Sequence, residues 1–123
     1  PEQPMITLDI SGLPIMIPSK EATSLALVVN ELIQNALRHG IPPESKGKLS
    51  ITISQTNGFI SVVVHNDGPG ISPDFDIDSR SNLGLTIVRT LVQNELKGNF
   101  TLVKAEGTVA TVTFPLPDTY LQT

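Results

Sequence analysis

The chain has no cysteine and no tryptophan, and aromatic residues make up only 4% of its 123 residues. Without cysteine, neither a disulfide framework nor a thiolate metal site can form. No apolar stretch approaches the roughly 20 residues that a membrane-spanning helix needs. The opening sequence PEQPMITLDI also lacks the basic start and apolar core of a secretory signal. These absences favour a cytoplasmic protein without membrane contact.

Positive charge is also scarce, with 8 Lys and Arg residues against 12 Asp and Glu residues, and no basic run. Because nucleic-acid binding requires clustered basic residues that neutralise phosphates, we expect no nucleic-acid surface. A hydrophobic content of 39% and a charged content of 16% are typical of a globular protein. We therefore expect a single domain over residues 1–123, and the start at Pro1 rather than Met suggests a fragment or a processed chain.

The apolar periodicity predicts strands and two helices. The expected elements are two short strands around a turn at residues 11–14, a helix over about 20–39, a hairpin over about 49–64, a helix over about 82–97, and strands near 100–104 and 109–114. Ser19 is the expected N-cap of the first helix, Asn57-Gly58 the hairpin turn, and Gly98 the stop of the second helix.

Both helices are apolar on one side. The expected inner face of the second helix consists of Leu83, Ile87, Val88, Leu91 and Val92. Since strands outnumber helices, the natural arrangement is one sheet covered on one face by the helices, with a partly solvated opposite face. The fold class is therefore α+β, in two layers.

A polar stripe follows the C-terminal half of the first predicted helix. Glu31, Asn35, Arg38 and His39 share one side at helical spacing. A solvated helix face would account for this pattern, although asparagine is a poor residue for a helix interior. The alternative is a cation and phosphate site. The Asn35 amide oxygen suits Mg²⁺, Arg38 suits phosphate oxygens, and Glu31 could accept a proton from an attacking nucleophile.

Two glycine-containing segments follow. HNDGPGI, at residues 65–71, comes directly after a predicted strand and is either a plain turn or a place where backbone approaches a flat ligand. Asn66 carries both an acceptor and donors, which suits the edge of adenine. SNLGL, at residues 81–85, opens the second helix, where free amide N–H groups favour phosphate. An ordinary capped helix begins in the same way.

In order and spacing, these segments resemble the motifs of the GHKL ATPase superfamily, which groups DNA gyrase B, the Hsp90 chaperones, MutL and histidine kinases. The best match is the catalytic domain of bacterial sensor histidine kinases. ALVVNELIQNALRHG resembles the N box, VVVHNDGPGI the first glycine box and NLGLTIVRTLV the second, and GTVATVTFPL is similar to the closing strand pair. The resemblance covers residues 6–116, and the N box and short lid look like those of soluble-type sensor kinases. It implies a Bergerat-type fold with a mixed, mostly antiparallel sheet.

The resemblance also implies roles for individual residues. Glu31 would be the catalytic residue that polarises the attacking group, and Asn35 the metal ligand. The positions implied to contact the cofactors, ATP and Mg²⁺, are Asn35, Arg38, His39, Asn66, Asp67, Gly68, Gly70, Ile71, Leu83, Gly84, Leu85 and Thr108. The stretch between Ile71 and Ser81 matches the ATP lid.

Two departures from the family pattern matter. Asn66 stands where the family usually has the aspartate that reads adenine, so the acceptor is kept and a charge is lost. We expect nucleotide binding to survive with altered affinity or selectivity. Arg80 and Asn82 stand where the second glycine box commonly has glycines, which leaves fewer backbone contacts to the phosphates.

The implied function is transfer of the γ-phosphoryl group of Mg-ATP to a histidine on a separate dimerisation domain, with a response regulator as the indirect partner. His39 and His65 are poor acceptors, because one lies in the N box and the other on a strand. Two other functions remain open: an anti-sigma-factor-type serine kinase, and a nucleotide-binding regulatory module without transfer activity. A plain α+β interaction domain, with coincidental motifs, is the third alternative.

Overall fold

The computed structural model describes residues 5–39, 46–67, 83–104 and 106–116, which contain five strands and two helices. The elements are β1 Met5–Ser11, α1 Ser19–His39, β2 Lys46–Thr56, β3 Phe59–Asn66, α2 Leu83–Asn94, β4 Asn99–Lys104 and β5 Thr108–Pro115. The strands form one sheet in the order β1-β2-β3-β5-β4. β1 is parallel to β2 and every other neighbouring pair is antiparallel, which confirms the predicted mixed, mostly antiparallel sheet.

The core lies between one face of the sheet and the two helices. Buried apolar side chains come from alternate positions of the central strands and from helical repeats. The central members are Val28, Leu32, Ala36, Leu49, Ile51, Ile60, Val62, Val64, Leu85, Val88, Val92, Ala110, Val112 and Phe114. The opposite face is rich in serine and threonine and stays partly exposed. This arrangement confirms helices on one face of the sheet and a partly solvated second face.

The hairpin between β2 and β3 turns where the sequence predicts. Asn57 and Gly58 have φ angles of 53° and 80°, and two consecutive positive values are typical of the type I′ turn that suits twisted strands. The Gly58 carbonyl also accepts a hydrogen bond from the Leu116 N–H at 2.9 Å. The turn is therefore tied to the end of β5.

Two expectations about the opening of the chain are wrong. Residues 12–18 contain no strand, because Pro14 and Pro18 have no N–H to give to a ladder. The chain instead enters α1 and returns to pair β2 in parallel with β1. The Pro18 carbonyl accepts the Ala22 N–H at 2.9 Å, so Pro18, not Ser19, occupies the N-cap position.

The inner face of α2 also differs from the expectation. Leu85, Val88 and Val92 are buried, whereas Leu83 is 63% exposed and Ile87 is 41% exposed. The 3.6-residue repeat allows one line of side chains to face the sheet. Once residues 85, 88 and 92 define that line, Leu83 and Ile87 fall on the outer side of the helix.

Lys97 and Gly98 follow the end of α2 and have different structural functions. Regular helix ends at Asn94, three residues before the predicted end. Lys97, with a φ angle of 58°, takes the left-handed position, and the Gly98 N–H donates to the Val92 carbonyl at 2.9 Å. A Cβ at Gly98 would overlap the backbone carbonyl of Thr113. Glycine is needed there because two backbone segments approach closely.

The two helices run antiparallel, so that the start of α1 lies next to the end of α2. Lys20 Nζ lies 3.7 Å from Glu95 Oε2, so the start of α1 is next to the end of α2 and the two helices are antiparallel. Four residues connect α2 to β4, which α2 packs against, so those two elements are antiparallel as well. The N-terminus of α2 and the C-terminal half of α1 therefore lie at the sheet end where β3 finishes and β5 begins. In the part of the chain that is described, neither helix has the length and apolarity to cross a membrane.

Candidate functional site

A buried polar pair interrupts the apolar face of the sheet at this end. Along β3 and β5, three successive apolar positions of each strand face the helices, and then Asn66 pairs with Thr108. Asn66 is 3% exposed and Thr108 is 6% exposed. Polar groups are costly to bury, because each one left without a hydrogen bond costs about 1–3 kcal/mol. Two buried polar side chains side by side on a core face are candidates for polar contacts to a ligand.

The hydroxyl of Thr108 supports this interpretation. Its Oγ1 atom is fully buried and has no hydrogen-bond partner among the described residues. Next to it, Gly107 has a φ angle of 103°, and a Cβ there would overlap the Asn66 carbonyl oxygen. The turn before β5 therefore closes directly over the end of β3 and fixes Thr108 beside Asn66. The sequence analysis did not single out Gly107 as a site residue.

The Asp67 side chain has a structural partner. Its Oδ1 atom accepts the Lys48 N–H at 2.8 Å, and its own N–H donates to the Lys48 carbonyl at 3.2 Å. Asp67 is exposed, whereas Asn66, one residue earlier, points into the covered face. Of these two predicted nucleotide contacts, Asn66 is the one that the strand aims inward.

The first turn of α2 lies against α1. An ideal Cβ on Gly84 would be 2.6 Å from Glu31 Oε2 and 3.8 Å from Arg38 Nη2. The carboxylate of Glu31 is therefore in contact with the backbone of Gly84, and the guanidinium of Arg38 is close by. The structure thus brings together three residues that the sequence had placed in two separate motifs.

An open cleft of about 360 Å³ lies at this junction. Its lining residues are Glu31, Gln34, Arg38, Leu83, Gly84 and Ile87. The sequence assigned no role to Gln34, and it placed Ile87 in the core. Gln34 could have been found from its position three residues after Glu31, which puts both side chains on the same side of a helix. The exposed Leu83 and Ile87 form an apolar rim to the cleft.

Asn35 lies one turn beyond Glu31, but on the side of α1 that faces the sheet. It is 8% exposed, so the predicted stripe is divided between a buried amide and the exposed Arg38. Among the residues that the structure describes, no group of three His, Asp or Glu side chains could hold a metal. A cation here would need a single hard oxygen from the protein and further ligands from phosphate and water. Mg²⁺ is commonly bound in that way, so this donor set fits it.

Several predicted residues have no structural test. Gly68, Gly70, Ile71 and the lid lie outside the described residues, and so do Arg80 and Asn82. His39 is the last residue of α1, and its side chain is not described. Leu85 is fully buried in the core, so the structure places it as a packing residue under the start of α2.

A second, larger cleft of about 530 Å³ lies at the hairpin end of the molecule. It is lined by residues 13–15, 53–55 and 57–58, none of which is charged. We favour the smaller cleft as the functional one, because it holds a carboxylate, a guanidinium and a helix N-terminus.

Comparison with known proteins places these motifs in a family. Residues 20–118 match the family of histidine kinase-, DNA gyrase B-, and HSP90-like ATPases. Sensor histidine kinase PdtaS of Mycobacterium tuberculosis is 40% identical over 85 residues, which are 68% of this chain and 17% of PdtaS. Blue-light-activated histidine kinase 2 of Erythrobacter litoralis is 31% identical over 113 residues, 90% of this chain and 32% of that protein. The chain thus spans a small part of the length of these relatives.

Solved structures agree with the fold. The histidine kinase domain of the Erythrobacter litoralis EL346 blue-light-activated kinase superposes with a TM-score of 0.81 at 31% identity, covering 90% of this chain and 55% of that one. The catalytic domain of histidine kinase ThkA gives a TM-score of 0.72 at 23% identity, covering 92% of this chain and 78% of that domain. The second likeness concerns the fold alone.

Proposed function

Since this chain belongs to the family of histidine kinase-, DNA gyrase B-, and HSP90-like ATPases, we propose that it binds Mg-ATP and donates the γ-phosphoryl group to a histidine of a sensor kinase. One observation carries the proposal: a buried polar pair lies at the same end of the sheet as a carboxylate, a guanidinium and a helix N-terminus. We assign the whole chain to one catalytic domain in the cytoplasm.

At the base end of the site, Asn66 and Thr108 hold the purine. Both side chains are buried on the covered face of the sheet, where a hydrogen bond to a ligand is not weakened by competing water. The Thr108 hydroxyl, which has no partner among the described residues, gains one when the base or a base-bound water arrives. Asn66 supplies the acceptor for the exocyclic amino group of adenine.

At the phosphate end, the N-terminus of α2 and Arg38 hold the triphosphate. The first turn of a helix offers unpaired N–H groups and a positive dipole end. The absence of a side chain on Gly84 lets the Glu31 carboxylate lie against that turn, with the Arg38 guanidinium close by. The Asn35 amide oxygen would hold Mg²⁺, which when bound offsets charge that develops on the phosphate oxygens.

Glu31 acts on the acceptor. Its carboxylate lies against Gly84, at the helix terminus to which we assign the phosphates. One ring nitrogen of a neutral imidazole attacks the γ-phosphorus, while the N–H on its other nitrogen donates to Glu31. The bond from the γ-phosphorus to the bridging oxygen breaks, and ADP leaves. The exposed Leu83 and Ile87 offer an apolar rim on which the acceptor domain can pack.

The acceptor histidine is assigned to another part of the full-length protein, as is the contact with a response regulator. His65 does not suit the role, because its Nε2 atom lies 3.0 Å from the Glu106 carbonyl oxygen on the sheet face away from the helices.

An anti-sigma-factor-type kinase would instead modify a serine, and a regulatory module would bind nucleotide without transfer. Supplying the cognate histidine-bearing domain separates these possibilities.

The test is titration of the chain with ATP, with and without Mg²⁺, followed by transfer to that domain in trans. Asn35→Ala should remove the enhancement of ATP binding by Mg²⁺ and abolish transfer. Asn30→Ala is the matched control, because Asn30 is an exposed amide on the same helix. The proposal fails if the wild-type chain binds no ATP, or if Asn35→Ala keeps the wild-type magnesium dependence while remaining folded by circular dichroism.

A further inference from the structure

β1 is an edge strand with an exposed row of apolar side chains. The sheet order places it at one end of the sheet, and no strand of the described residues lies beyond it. Leu8 pairs with the buried Leu49 of β2. Ile10 likewise pairs with the buried Ile51, so both side chains point to the helix side of the sheet. Leu8 is nevertheless 54% exposed and Ile10 is 61% exposed. The apolar face of the sheet therefore extends beyond the area that the helices cover.

The strand lacks the features that usually keep edge strands from pairing. Natural edge strands commonly carry a lysine, a proline, a bulge or an inward-pointing charge. β1 pairs with β2 over seven consecutive residues without a bulge, and it contains neither lysine nor proline. Its one charged residue, Asp9, lies between Leu8 and Ile10 and therefore on the opposite face of the sheet. Within the described part of the chain, the edge of β1 is open to another strand.

The sequence of β1 is complementary to itself when two copies pair in antiparallel fashion. Full overlap of the strand puts Leu8 opposite Leu8 of the second copy and Ile6 opposite Ile10. On the other face, it puts Thr7 opposite Asp9. Apolar residues then meet apolar residues, and a hydroxyl meets a carboxylate. A shift by two residues in either direction shortens the overlap, and in one direction it puts the two Asp9 carboxylates directly opposite one another, which destabilises a sheet.

We propose that β1 is a dimerisation strand, through which two copies of this chain join their sheets edge to edge about a two-fold axis. Because this axis is perpendicular to the sheet, the helices of both copies lie on the same side. α2 packs against β4, at the far edge, so α1 is the helix nearer to β1. Leu8 and Ile10 of both copies therefore fill the groove between the two α1 helices.

The dimer leaves both candidate functional sites open. Since the two copies run antiparallel, their sites lie at opposite ends of the joint sheet. The inference does not depend on the proposed function, because no nucleotide takes part in the contact. The contact consists of one strand and one apolar row from each copy, and interfaces below about 1,200 Å² are usually weak. We therefore expect a dissociation constant of about 0.01–1 mM.

The experiment measures this constant by sedimentation equilibrium for the wild type and for three lysine variants, which all add the same charge. Leu8→Lys places a charge in the apolar row and should weaken the dimer about tenfold or more. Thr7→Lys places an ammonium group opposite Asp9 of the second copy. It should tighten the dimer about two- to thirtyfold, because the two-fold axis makes this cross-strand ion pair occur twice. Val103→Lys is the control, since Val103 is 50% exposed on the opposite edge strand, and the constant should stay within about twofold of the wild type.

A chain that stays monomeric up to about 1 mM overturns the inference. A dimer that Leu8→Lys leaves unchanged also overturns it, because another surface would then hold the two copies together. Weaker association of Thr7→Lys would contradict the antiparallel register, and this variant keeps the test decisive if Leu8→Lys does not fold.

Amide hydrogen exchange gives a second readout. Protection of β1 should rise with the concentration of the chain alone. If it rises only when the histidine-bearing domain is added, that domain occupies the strand and the dimer is refuted. ATP titration of Leu8→Lys should match the wild type, so a failure of the dimer is distinguishable from a failure of the proposed function.

Discussion

Gly84→Ala tests whether glycine at position 84 is needed for phosphotransfer or for the stability of the fold. The added Cβ would lie 2.6 Å from Glu31 Oε2 and 3.7 Å from Glu31 Cδ. Since non-bonded heavy atoms are stable at about 3.5 Å or more, the carboxylate oxygen has to move by roughly 1 Å. The displaced atom is the end of a flexible side chain, so a change of rotamer provides the space. The backbone of both helices can stay where it is.

Gly84→Ala should leave the stability unchanged or slightly raised, but it should strongly lower the rate of phosphotransfer. Alanine in place of glycine favours a helix by up to about 1 kcal/mol, so the free energy of unfolding should stay the same or rise. A misplacement of about 1 Å in a reacting group can lower a rate about 100-fold. We expect phosphotransfer to the histidine-bearing domain to fall by about that factor, with a much smaller change in ATP affinity. Urea unfolding, nucleotide titration and a transfer assay in trans measure the three quantities.

Gly98→Ala is the matched control for the same chemical change. There the Cβ would overlap the backbone carbonyl of Thr113, which cannot move without disturbing β5. Overpacking of this kind commonly lowers the free energy of unfolding by about 1–3 kcal/mol. If Gly84→Ala lost as much stability as Gly98→Ala, Gly84 would be a structural residue. If its transfer rate equalled that of the wild type, the position of Glu31 against α2 would not matter for the chemistry.

Three further substitutions test single contacts by urea unfolding. Thr108→Val should keep the free energy of unfolding or raise it by about 1–2 kcal/mol, because it removes a buried hydroxyl without a partner among the described residues. It should also weaken nucleotide binding, and a clear loss of stability would contradict this account. Asp67→Ala should lower the free energy by about 0.5–1.5 kcal/mol through loss of the acceptor for the Lys48 N–H; an unchanged value would show that the hydrogen bond is replaced by water. Lys20→Met should change it by less than about 0.5 kcal/mol, since the Lys20 side chain is 72% exposed and that of Glu95 is 43% exposed. A loss above about 1 kcal/mol would show that the pair is stronger than exposed pairs usually are.

The regular elements were largely predictable, because their signals are local. The apolar repeat located α1, and Asn57-Gly58 located the hairpin turn, since both depend on a few neighbouring residues. The opening strand pair was wrong for a non-local reason. The proline-containing segment 12–18 has β propensity, but the partner of β1 is β2, which lies beyond a whole helix.

The residues of the candidate site were predictable from local sequence, but their contacts were not. The order of the motifs along the chain is enough to identify Glu31, Asn66 and Gly84 as functional candidates. Their contacts could not be predicted in the same way. The closeness of Gly84 to Glu31 depends on how α2 rotates and slides against α1. That rotation is also why Leu83 and Ile87 form a rim and not a part of the core.

The sequence by itself determined the helices, the hairpin and the family motifs, because hydrophobic spacing and turn-forming residues act over short distances. Only the tertiary structure decided that Thr108 is buried without a partner among the described residues, that Asp67 binds the start of β2, and that Gly84 supports Glu31. Each of these facts depends on packing between elements that are distant in the chain. Packing selects one of several faces that the sequence alone leaves equally available.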